Sequence, residues 1–166
     1  MPLVAAYLMT ILNLGCNGSS DAPLAPDACP SERIILATAT VAKEGAEIVV
    51  TYEGSPFDGT IVRFPPDAVS VPDKVTLSSR KSTAEVRRGQ SNGYELILEM
   101  QTSTSFEEGV TIVMTYDRGR GASTVIPYEV EEPTSLHVMQ IKQLDKARGR
   151  LSVVTFKPIA ILLVYP

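Results

Sequence analysis

The 166-residue chain has no tryptophan, one histidine, two cysteines, and no lysine or arginine before Arg33. Each shortage closes something off. A single histidine, His137, excludes a multi-histidine metal centre and a catalytic dyad of two imidazoles. Acid outweighs base, 19 Asp and Glu against 15 Lys and Arg, so no net positive surface awaits phosphates and no nucleic-acid partner is expected. No extended stretch carries a helical stripe. After the first apolar run none has the length of a membrane-spanning helix; the last, "IAILLVY" (159–165), is strand-sized. No Gly-x-Ser-x-Gly elbow accompanies any serine. No metal, cofactor or enzymatic activity is expected.

What is present begins with "LVAAYLMTILNLGCNGSSDA" (3–22). Residues 3–14 are apolar or weakly polar over the length of a signal-peptide hydrophobic segment, too short for a stable span. The run ends at Gly15-Cys16, and "NGSSDAPLAPDACPSE" then reads as a flexible tether without hydrophobic periodicity. The junction resembles the bacterial lipobox, whose cysteine thiol takes a diacylglyceryl group and becomes the mature N-terminus. The usual Leu-small-Gly/Ala-Cys order is altered here by Asn13 and Leu14. The resemblance implies a signal peptide over 1–15, lipid attachment at Cys16 with palmitate-type acylation, and a membrane-anchored tether over 16–32. Asn17 is not the aspartate of inner-membrane retention, which points to the outer membrane or cell surface of a bacterium. Two other readings stay open: a disulfide between Cys16 and Cys29 in an oxidising compartment, and a core element that ends in Gly-Cys. With Cys16 acylated, Cys29 is left unpaired in the tether.

From Arg33 the pattern is alternation. "VTIVMTY" (110–116) puts Val110, Ile112, Met114 and Tyr116 on one face; "YELILEM" (94–100) turns Tyr94, Leu96, Leu98 and Met100 inward and Glu95 and Glu99 outward. Period two with one wet face is the half-buried strand of an antiparallel sheet. Further runs at 34–41, 47–52, 60–64, 74–79, 123–130, 135–141, 150–156 and 159–165 read as strands, the last covered on both faces. "EGSPFDG", "RRGQSNG", "DRGRG" and "KARGR" supply turns. Pro-Pro-Asp-Ala-Val (65–69) reads as one helical turn, since a leading proline suits a first turn. The fold expected over 33–166 is all-β, an antiparallel β-sandwich.

The order "GTIVRFPPDAVSVPDKVTL" (59–77), "TSFEEGVTIVMTYD" (104–117) and the closing "SLHVMQIKQLDKARGRLSVVTFKPIAILLV" resembles the ZU-five-type β-sandwich. That module occurs in ankyrins, in netrin receptors of the uncoordinated-five type, and in bacterial secreted and lipid-anchored proteins. The family pattern includes an Ile-Pro-Pro-Gly-Ala-Leu-like turn. The resemblance covers roughly residues 38–165. Gly109 stands where the family often has proline, and the family's penultimate tryptophan is missing. Some relatives cleave themselves before the serine of a His-Phe-Ser triplet; here Thr155-Phe156-Lys157 supplies no hydroxyl after the phenylalanine, so self-cleavage is not expected.

The remaining chemistry is sparse. His137 alternates with Met139 and Ile141 and reads as structural, with a serine hydrolase using His137 as base the minor alternative. Asp58, Asp67, Asp73 and Asp117 fall in loops, where turn formation competes with calcium binding. Arg80, Lys81, Arg87 and Arg88 form a basic cluster, either a solvated hairpin or a patch meeting anionic lipid headgroups or an acidic partner. The expected function is a non-catalytic, lipid-anchored envelope protein, bound to membrane through its anchor and presenting an interaction or structural domain to a protein or glycan. The alternative is a secreted module binding glycan, peptide or calcium.

Overall fold

A computed structural model describes residues 33–82, 90–116, 125–131 and 135–165. Ser31–Pro166 forms one compact unit. The described residues hold eleven strands: β1 (Ile34–Val41), β2 (Ala46–Val49), β3 (Ile61–Phe64), β4 (Asp73–Lys81), β5 (Gln90–Met100), β6 (Val110–Thr115), β7 (Ile126–Glu131), β8 (Ser135–Val138), β9 (Ile141–Asp145), β10 (Arg150–Thr155) and β11 (Ile159–Tyr165). They make two antiparallel sheets, one ordered β1-β4-β5-β11-β7-β8 and the other β2-β3-β6-β10-β9. The sheets pack together as a β-sandwich, the expected class.

The period-two pattern sets the core. Val110, Ile112 and Met114 of β6 share one buried cluster with Val75 and Leu77 of β4, Leu96 and Leu98 of β5, and Ile159, Ile161 and Leu163 of β11. Phe57 plugs the connection between β2 and β3, and Phe64 meets Phe106 edge to face at 5.6 Å between ring centroids. Ile161 and Leu162 point to opposite faces of β11 and are both fully buried, so this inner strand is covered on both sides.

Three expectations change. The run at 135–141 is not one strand. Met139 donates its N–H to the Pro127 carbonyl at 2.9 Å, and the chain there leaves the six-stranded sheet as β8 and enters the five-stranded sheet as β9. Residues 65–68 form a type II turn rather than a helical one. Ala68 N–H donates to Pro65 O at 3.2 Å, Pro66 takes the second position, and Asp67 takes the third with φ +62°. In β5, Glu95 is not on a wet face, being 1% exposed, and Tyr94, expected inward, is exposed.

Gly45 closes the β1–β2 turn beside the 65–68 loop. An added Cβ would lie 2.5 Å from the Phe64 carbonyl oxygen, so only glycine fits.

Candidate functional site

The outward face of the five-stranded sheet is built by cross-strand neighbours. Ile61 lies opposite Val113, Val113 opposite Ser152, and Ser152 opposite Gln143. Beside this row runs a groove of about 760 Å³ lined by Glu47, Arg63, Glu108, Thr111, Lys142 and Phe156, among others. Two acids and two bases balance its formal charge, and Arg63 Nε meets Glu47 Oε2 at 2.6 Å. Phe156 stands at the rim, 59% exposed.

Phe156 is placed by the β10–β11 turn. Thr155 Oγ1 donates to Lys157 O at 2.8 Å and accepts from Lys157 N–H at 3.2 Å, while Phe156 O accepts the Phe106 N–H at 2.7 Å. Gly109 lies beneath. A Cβ there would stand 2.7 Å from Val154 Cγ1 and 3.1 Å from Phe156 Cζ. A side chain at position 109 would therefore press on both of these side chains.

Lys157 Nζ sits 2.6 Å from Glu129 Oε1 and 3.3 Å from Glu131 Oε1. Hydrogen bonds to Glu129 first, then Glu131, raise its pKa above the ordinary lysine value against the opposing pull of desolvation. A nucleophilic amine needs the opposite shift. His137, in β8, turns Nε2 to Glu131 Oε2 at 3.4 Å. Among the described residues no serine or threonine hydroxyl bonds to it, so the geometry offers no nucleophile–base pair there.

The loop aspartates do not converge. Asp58 is exposed, and its backbone carbonyl accepts the Thr115 hydroxyl at 3.2 Å. Asp67 pairs with Lys43 at 3.4 Å. Asp73 opens β4 with its carboxylate buried, accepting N–H groups from Lys74 at 2.7 Å, Ser103 at 2.6 Å, and Thr102 at 3.1 and 3.2 Å. Burial pulls its pKa up, but the hydrogen bonds from Ser103 and Thr102 outweigh it and hold the carboxyl well below the usual range. Among the described residues no three His, Cys, Asp or Glu side chains group as metal ligands. Asp117 lies outside the described residues.

Part of the basic cluster is internally neutralised. Arg80 Nε meets Glu95 Oε2 at 2.7 Å, and the Ser82 hydroxyl donates to Glu95 Oε1 at 2.7 Å. Lys81 is exposed; Arg87 and Arg88 lie outside the described residues, as do Cys16 and Cys29. The buried Glu95 pair escapes a reading of sequence alone because it depends on register: Arg80 lies directly opposite Glu95.

No protein-family model and no curated protein matches the chain.

Proposed function

We propose that the protein is a non-catalytic, lipid-anchored component of a bacterial cell envelope, its sandwich serving as an interaction or structural module. The observation that carries this reading is the Gly15-Cys16 junction, behind an apolar run of signal length and ahead of a polar tether. The site chemistry supports the non-catalytic part. Lys157 is held as a cation, and the Thr60 hydroxyl is wholly enclosed.

Mass spectrometry of the N-terminal peptide from membranes, with fractionation of the Cys16→Ser variant, tests the reading. The expected peptide begins at an acylated Cys16, and the variant leaves the membrane fraction. A peptide beginning at Leu3 or earlier, with a free Cys16 thiol, overturns it.

A further inference from the structure

A strand at the end of a sheet offers a row of unpaired backbone groups, which folded proteins blunt by keeping such strands short or charged. Three of the four terminal strands follow that rule. β2 has 4 residues and carries Glu47; β8 has 4 and carries His137; β9 has 5, carries Lys142 and Asp145, and is broken in register opposite β10. β1 does not. It runs 8 residues, "IILATATV", with no charge, proline or glycine. Among the described residues it pairs only with β4. Its register shifts between Ile35 and Ala37, but Ala37–Val41 runs regularly opposite Asp73–Leu77.

We propose that β1 pairs antiparallel with β1 of a second copy of this chain, about a dyad at Ala39. Within Ala37–Val41, "ATATV", Thr38 and Thr40 stand symmetrically about Ala39, with an apolar residue at either end. Centred on Ala39, each Thr38 faces Thr40 of the second copy, and each Ala37 faces its Val41. Thr38 and Thr40 are exposed, whereas Ala37 and Ala39 lean on the core and Val41 is buried. Every facing pair therefore lies on one side of the joined sheet, and threonine–threonine pairs across strands are favourable. A dyad at Thr38 keeps the faces but sets Arg33 against Lys43 of the second copy; at Ala39 each Arg33 meets Gly45 instead. The partner is a second copy rather than a foreign strand because Thr38-Ala39-Thr40 reads the same in both directions, the Ala39 register sets no like charges face to face, and twofold pairing closes the edge. The pairing is independent of the lipid anchor.

Sedimentation velocity on the detergent-solubilised full chain tests it. The wild type is expected to be a dimer. Thr38→Lys with Thr40→Lys sets like charges face to face and raises the dissociation constant at least tenfold; Thr38→Lys with Thr40→Glu restores association, because each new cation meets an anion. In a Cys16→Ser, Cys29→Ser background, Ala39→Cys gives a covalent dimer on oxidation. Directly opposed Cα atoms in an antiparallel pair stand about 4.5–5.5 Å apart, within disulfide reach. A monomeric wild type overturns the proposal, leaving the edge to a foreign strand. So does association that survives the double lysine variant, or absence of the covalent dimer with the fold intact by circular dichroism.

Discussion

Replacing Asp73 by asparagine tests the buried carboxylate that opens β4. The carboxylate is 3% exposed and takes backbone N–H donors from Lys74, Thr102 and Ser103, tying the exit of β5 to the entry of β4. Among the described residues no arginine or lysine side chain shares it; backbone amides and the Ser103 and Thr102 hydroxyls carry the charge. Asparagine keeps the shape but turns an NH2 group toward at least one of these donors. A hydrogen bond to a charged group is worth about 1.5–3 kcal/mol, so Asp73→Asn is expected to cost about 2–3 kcal/mol near neutral pH. For a domain of this size that lowers Tm by roughly 4–12 °C. The pH dependence identifies the cause. The folded pKa lies below the unfolded value of about 3.9. The carboxylate's stabilisation is thus fully present above about pH 5 and is lost as pH falls through the unfolded value toward the folded one. Urea titrations of both proteins from pH 7 down to about pH 2.5 should show a constant gap that narrows below about pH 4. Equal stability at pH 7, or a gap unchanged throughout, refutes the hydrogen-bonded carboxylate as its source.

Two further substitutions probe packing. Gly109→Ala drives a methyl group against Val154 and Phe156 and should cost about 1–3 kcal/mol in urea unfolding; adding Phe156→Ala should recover part of the loss. Thr60→Val removes a buried hydroxyl that has no hydrogen-bond partner and should raise stability by about 1 kcal/mol, read as a higher urea midpoint at unchanged slope.

Alternation in the sequence was enough to read most strands, because period two is a local property of the backbone: β6 has its inward set at Val110, Ile112 and Met114 as the pattern requires. What was not legible depends on contacts distant in sequence. Besides the adjacent Lys74, the partners of Asp73 lie 29 and 30 residues away, so nothing near it marks it as buried. The break between β8 and β9 has no glycine or proline at its corner; a hydrogen bond from Met139 to Pro127 makes it. The turn at 65–68 misleads for a different reason. Proline favours both a first helical turn and the second position of a type II turn, and what separates them is the positive φ at Asp67, a residue that tolerates it. The groove likewise rests on register and on a missing Cβ at Gly109, neither visible before the strands are paired.

Three charged groups show how differently this sandwich handles ionisation. Asp73 is buried and bound by amides and hydroxyls, Glu95 is buried beside Arg80 and Ser82, and Lys157 is half-exposed between two carboxylates. Screening by salt reaches exposed pairs far more than buried ones. Added salt should therefore weaken the Lys157 cluster while leaving the Asp73 contribution nearly intact. Removing a partner reverses the ranking of cost. Loss of Arg80 strands a buried charge, whereas loss of Lys157 leaves Glu129 and Glu131 within reach of water. Burial of the group left behind, rather than the distance between partners, decides what each pair contributes to the fold.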